Sequence, residues 1–197
     1  MRRLPLSALG LVALLGTDPA RALDLESSYE SQRERDTHLP AQGFSVSLSD
    51  DFGEQFFAGA SYSRLTTDPF GDDTLTGREE YLAMGVNAGM ALTLNERTEA
   101  SLSLGYSQSR TRGLDDFRDD PETRVSGPSG SVMLSFRPHP WTELFAGPAY
   151  SYVGAEPAWQ GNVGLSLKLL RSVWFTASYW GGAAKDGWSA GLRFGGN

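Results

Sequence analysis

From Glu80 to Asn95 the chain alternates between two kinds of side chain. Leu82, Met84, Val86, Ala88, Met90, Leu92 and Leu94 take every second position, and Tyr81, Ala83, Gly85, Asn87, Gly89, Ala91, Thr93 and Asn95 fall between them. A period of two marks an extended strand, whose successive side chains point to opposite faces. After the polar link Asn95–Thr98 the pattern restarts, with Ala100, Leu102, Leu104 and Tyr106 against Glu99, Ser101, Ser103, Gly105, Ser107 and Ser109. Phe44/Val46/Leu48, Phe56/Ala58/Ala60/Tyr62, Val132/Leu134/Phe136 and Leu144/Ala146/Tyr150/Tyr152 repeat it, each against small polar neighbours. So do Val163/Leu165/Leu167/Leu169, Val173/Phe175/Ala177/Tyr179 and Trp188/Ala190/Leu192/Phe194. A weaker first segment sets Leu23, Leu25 and Tyr29 against Asp24, Glu26, Ser28 and Glu30, which brings the total to ten. Helical periodicity is almost absent.

The links between segments alternate strictly in length. Asp50–Gly53, Asn95–Thr98, Pro138–Pro140 and Leu170–Ser172 are tight, whereas Ser31–Ala41, Thr67–Glu79, Gly113–Gly127, Gly154–Gln160 and Ala184–Gly187 are longer or more polar. Short turns on one side and long loops on the other are expected of a transmembrane barrel, and an even strand count keeps both ends of the barrel on the short-turn side. The expected fold is therefore all-β, an antiparallel up-and-down transmembrane β-barrel of ten strands, with eight as the smaller alternative.

Alternation also fits a soluble, lipocalin-like barrel with its apolar face inward, secreted or periplasmic and binding a small apolar ligand. Two features favour lipid outside. The polar face is built of Ser, Gly, Asn and Thr, whereas a strand surface facing water usually carries Lys, Glu and Arg. Aromatic residues also sort by strand end, as at the two interfaces of a bilayer. Tyr29, Phe44, Tyr62, Tyr106, Tyr150, Tyr152, Tyr179 and Trp188 lie toward the long-loop side. Phe52, Phe56, Phe136, Trp141, Phe175 and Phe194 lie toward the tight turns, and the middles are Ala, Leu, Val and Met.

The N-terminus reads separately. Met1-Arg2-Arg3, the apolar stretch Leu4–Gly16 and the closing Ala20-Arg21-Ala22 have the order of a secretory signal peptide, predicted over residues 1–22 with the barrel over 23–197. With no cysteine, neither a disulfide framework nor a lipid-anchored cysteine is possible. A net charge of −7 and the lack of a basic patch argue against nucleic acid.

The signal peptide, ten alternating segments, aromatic girdles and a last strand ending Trp188-Ser-Ala-Gly-Leu-Arg-Phe194 resemble small bacterial outer-membrane β-barrels. The layout is similar to that of OmpX, OmpW and YfaZ-like proteins. The resemblance implies export to the outer membrane, contact with its lipid and lipopolysaccharide, and insertion by the barrel-assembly machinery. That machinery reads a final aromatic residue, a role that Phe194 matches.

Charges on the small-residue face gather toward the tight turns: Asp24, Glu26, Glu99, Arg137, Glu143, Lys168 and Arg193. Neighbouring strands bring opposite signs together, and charges in a narrow low-dielectric bore persist when paired. They are expected to form a plug, leaving a narrow, largely closed channel or a barrel with a structural or surface-interaction role. The long links are acidic. Asp68, Asp72, Asp73, Glu79 and Glu80 stand in one, and Asp115, Asp116, Asp119, Asp120 and Glu122 in another, where divalent cations could bridge them to lipopolysaccharide phosphates. No catalytic residue, metal site or cofactor is predicted. The two histidines, His38 in the first long link and His139 in a tight turn, have no nucleophile set at catalytic spacing.

Overall fold

The computed structural model describes residues 23–34, 39–53, 55–72, 75–114, 122–153, 156–183 and 185–195. The predicted signal peptide lies outside them, as does His38. Ten strands close into one antiparallel barrel. They are β1 (Asp24–Glu34), β2 (Pro40–Phe52), β3 (Phe56–Thr67), β6 (Glu79–Asn95), β7 (Thr98–Gly113), β8 (Thr123–His139), β9 (Thr142–Val153), β10 (Glu156–Leu170), β11 (Val173–Gly182) and β12 (Lys185–Phe194). The link from β3 to β6 carries a small antiparallel hairpin of its own, β4 (Phe70–Asp72) and β5 (Leu75–Gly77). Each barrel strand pairs with its sequence neighbours, and β1 closes the ring by pairing with β12 as well as β2. The weakest segment of the sequence is thus the closing strand.

The register gives the tilt. A path along paired residues runs from Val173 through Phe194, Leu25, Leu48, Ala60, Val86 and Tyr106 to Pro128. Continued one pair beyond Ser129–Ser151 it reaches Tyr152 and then Pro157, three residues short of Gln160, whose partner Gly182 is nine residues beyond Val173. One circuit therefore displaces the register by about 12 residues, which for ten strands corresponds to a tilt of roughly 40°.

The two faces divide as the alternation predicts. Leu104 is 69% exposed, Val163 54%, Met84 53% and Leu134 49%, and all lie on the outer face. Ser28, Ser166 and Thr176 are buried in the bore, where hydroxyls pair across strands: Ser28–Ser45 at 2.7 Å, Ser103–Ser131 at 2.8 Å, Ser178–Ser189 at 2.8 Å and Ser166–Thr176 at 3.1 Å. A soluble binder with an apolar interior would show the reverse. A continuous apolar belt of this extent suits hydrocarbon, and exceeds what water-soluble monomers leave uncovered.

The strands run further toward the long-loop side than the alternation indicates. β8 begins at Thr123, β10 at Glu156, and β7 continues to Gly113. Above the apolar belt both strand faces are polar, so the period-two signal disappears while the ladder continues through pairs such as Arg110–Arg124 and Thr111–Thr123.

Two local features follow from residue type. Gly53, with φ of 73°, takes the left-handed conformation in the turn between β2 and β3, where a side chain would be strained. Pro148 lacks an N–H, and the pairing of β8 with β9 is interrupted between Ser131–Ala149 and Leu134–Ala146, opposite it. There the backbones close up, so that a Cβ at Gly147 would collide with the Val132 carbonyl oxygen.

The sidedness is testable at Leu104, mid-belt and exposed. Leu104→Arg in the full chain refolded into bilayers is expected to lower unfolding free energy by about 2–4 kcal/mol, and the same change at Leu170, beside a tight turn, by about 0–1 kcal/mol. Denaturant titration of both variants in vesicles measures the difference; equal effects would contradict the placement.

Candidate functional site

The bore is divided along its length. Toward the tight turns lies a cavity of about 710 Å³ lined by Asp24, Glu99, Arg137, Glu143, Lys168 and Arg193, six of the seven charges expected there. Glu26, the seventh, is the Cα partner of Arg193 but lines a separate cavity of about 300 Å³ further up. That cavity and a neighbouring one of about 420 Å³ share the small polar wall of Ser61, Gly85 and Ser107. Between the charged cavity and these two, Phe57 packs over Gly89 and Phe145 over Gly164. Toward the long loops, a cavity of about 430 Å³ is lined by Glu30, Gln32, Glu34, Tyr81, Trp180 and Lys185.

Glu143 is the centre of the charged end. It is 7% exposed. Arg137 donates through Nε to its Oε2 at 3.0 Å, and Arg193 Nη2 lies 3.8 Å from the same oxygen. Arg137 stands on the neighbouring strand, but Arg193 is on β12, with β10 and β11 between it and β9. The second pair therefore spans the bore. Lys168, on the strand at the other side of Glu143, forms no ion pair with it among the described residues. Lys168 Nζ lies instead 5.3 Å from the centroid of the Trp174 ring, and the Arg193 guanidinium lies 5.2 Å from the same ring. A buried aromatic face attracts cations and spares them full desolvation. Trp174, 8% exposed, is the residue that charge pairing alone misses. Its position in line with Thr176 and Ser178 is the signal that places it in the bore.

At the opposite end a second charged group faces outward. Arg64, Glu80, Arg110, Arg112 and Arg124 share the strand parity of the outer-face residues Tyr62, Met84, Tyr106 and Leu134. Glu80 is 1% exposed and is held by Arg64 (Nε to Oε1, 2.7 Å) and Arg112 (Nε to Oε2, 2.5 Å). Glu122 pairs with both Arg110 and Arg124. Hydrogen bonding from Arg124, with the charges of both arginines, holds the Glu122 carboxyl below its usual range.

The aromatic positions flank the apolar belt. Tyr62, Tyr106, Tyr152, Tyr179 and Trp188 are exposed on the long-loop side, and Tyr150 is partly covered by Trp159, ring centroids 4.8 Å apart. Trp159, itself 64% exposed, belongs to this row although the sequence pattern assigns it to a link. Tyr29 with Trp188 (5.6 Å) and Phe44 with Tyr62 (6.1 Å) continue it. Phe56, Phe136, Trp141, Phe175 and Phe194 are exposed toward the tight turns. His139 ends β8 beside Trp141, ring centroids 6.2 Å apart.

Closed topology, outward apolar belt and hydroxyl-lined bore together have counterparts among solved structures. The chain has the fold of a small outer-membrane β-barrel. The NanC porin superposes with a TM-score of 0.50 at 9% identity, over 85% of this chain and 98% of that one. The β domain of the Bordetella autotransporter BrkA superposes with a TM-score of 0.50 at 13% identity, over 89% and 99%. Ail, the attachment invasion locus protein of Yersinia pestis, gives 0.47 at 16% identity, over 88% and 97%. By sequence, no protein-family model and no curated protein matches.

Removing the carboxylate at the centre of the charged end leaves two guanidinium groups facing each other across the bore. Glu143→Ala is expected to cost about 1–3 kcal/mol, less than for a fully buried pair because Arg137 is half exposed. Urea midpoints of the protein in detergent micelles, read by tryptophan fluorescence, check this. A midpoint equal to that of the parent chain would show the cluster to be energetically idle.

Proposed function

We propose that this protein is a non-enzymatic outer-membrane β-barrel whose bore is plugged near the tight-turn side, so that it acts as a structural or surface-interaction element and passes at most small solutes. The observation that carries this reading is the cross-bore ion pair of Arg193 with Glu143, completed by Arg137 and seated on Trp174 below the Phe57 and Phe145 rings. Paired charges with the two phenylalanine rings above them favour an obstructed bore over the continuous water-filled path of a general porin. The exposed apolar belt and the shared fold with outer-membrane barrels support the location. The predicted leader over residues 1–22 would deliver the chain there, and Phe194, at the end of β12, would present the assembly signal.

The aromatic rows then act as interface anchors, with indole and phenol groups at headgroup level and apolar bodies in lipid. Tyr62, Tyr106, Tyr150, Tyr152, Tyr179 and Trp188 serve the outer interface, and Phe56, Phe136, Trp141, Phe175 and Phe194 the inner one. The acidic long links are the second expected contact, through divalent cations shared with lipopolysaccharide phosphates. The lack of a catalytic assignment rests on side-chain chemistry. Among the described residues, His139 sits beside Trp141 at the turn end, where the Trp141 backbone N–H donates to its Nδ1 at 3.4 Å.

Planar-bilayer recording of the refolded full chain tests the plug. The parent protein is expected to stay closed or to show only brief, small openings. Arg137→Ala combined with Glu143→Ala is expected to raise open time several-fold by removing both ends of the strongest bond in the layer. A large, steady current from the parent protein would overturn the reading.

A further inference from the structure

The outer surface of the barrel is apolar from the tight turns to the outer aromatic row, and beyond that row four arginines gather on the wall of β3, β7 and β8. Arg64 on β3, Leu82 on β6, Arg110 on β7 and Arg124 on β8 form a single register row around a quarter-turn of wall. Arg112, one outward position further along β7, joins the row through Glu80. Four guanidinium groups meet two carboxylates here, an excess of two positive charges in a chain whose net charge is −7. The arginine side chains remain 31–61% exposed after that pairing. Their Glu partners fix where the planar forks stand without covering them. Tyr62 lies one outward position below Arg64, and Tyr106 two below Arg110, so the cations begin where the interfacial aromatics end. Tyr150, Tyr152, Trp159 and Tyr179 continue the aromatic row across β9–β11.

Arginine is suited to phosphate because its planar donors bind two oxygens at once, and it holds its charge at any pH the membrane meets. A cationic ridge pointing into the bore would serve a solute, whereas one pointing outward, immediately above a hydrocarbon-facing belt, meets headgroups. We propose that Arg64, Arg110, Arg112 and Arg124 form a docking ridge for the phosphate groups of an outer-leaflet lipid, whose acyl chains lie on the apolar wall of β3, β6, β7 and β8 directly beneath. The proposal rests on the outer-membrane reading above and is distinct from cation bridging by the acidic links, since it needs no metal.

The test uses the full chain in nanodiscs and two lipids that differ only in phosphorylation: a bisphosphorylated lipid A and the same molecule enzymatically stripped of phosphate. Retained lipid is counted by native mass spectrometry. The parent protein is expected to hold the phosphorylated lipid about tenfold more tightly, a difference of the size two charge-assisted bonds confer. Arg110→Gln with Arg124→Gln is expected to abolish most of that preference. Arg64→Gln and Arg112→Gln are made together with Glu80→Gln, so that no carboxylate is left buried without a partner, and are expected to act in the same direction. Arg124→Lys retains charge but loses the fork, and is expected to fall between parent and Gln variant. Equal retention of the two lipids, or a preference that survives all four substitutions, overturns the ridge. Loss of the preference on adding EDTA assigns it to metal-bridged acidic links and also overturns it. Displacement by equimolar inorganic phosphate overturns the lipid as the occupant. Heat-modifiable gel mobility of each sample reports separately whether a membrane barrel has formed, so failure of the underlying reading shows as loss of that shift in the parent chain.

Discussion

A strand placed in hydrocarbon presents N–H and C=O groups that nothing around it can bind, and each group left so costs several kcal/mol. Every other feature of this molecule answers to that constraint. The ladder has to close, so the charged and weakly alternating β1 is needed as the partner of β12 on one side and β2 on the other. Closure with a register displacement of about 12 residues sets the tilt, and tilt with strand number sets the width of the bore. Where Pro148 cannot donate, the wall does not open. The backbones draw together at Gly147, a position only glycine can fill.

Width in turn sets what the bore can contain. Serine, glycine and threonine pack there with hydroxyls bonded to one another, and two phenylalanines find room only over Gly89 and Gly164. Charges at the tight-turn side meet across non-adjacent strands as well as between neighbours. Glu143 takes a cation from its neighbour strand and a second from β12, three strands round the ring, while Trp174 shares its face between Lys168 and Arg193. The outer arginines point away from the bore, and Glu80 and Glu122 hold them beyond the outer aromatic row.

Strand identity, face assignment and the order of short and long links were legible because lipid on one side and a packed bore on the other impose opposite chemistry on alternate residues. Leu102/Leu104/Tyr106 against Ser103/Gly105/Ser107 marks a strand and sorts its side chains into two faces. The same reasoning explains where legibility stopped. Past the apolar belt both faces are polar, so the outer reaches of β7, β8 and β10 looked like links, and Trp159 with them. The hairpin β4–β5 is too short for any period to show. Glu80 was legible as an acidic residue of a long link, but its burial between Arg64 and Arg112 depends on three strands meeting.

The sequence by itself determined the all-β class, the ten strands and which side chains face outward, since each of these follows from period and position along one strand. Only the tertiary structure decided which charges meet. Shear slides each strand past the next and curvature brings non-neighbours face to face, so Arg193 reaches Glu143 across two intervening strands and Lys168 turns to Trp174 instead. A one-dimensional pattern carries no information about the far wall of a cylinder, because that distance exists only after the first strand has found the last.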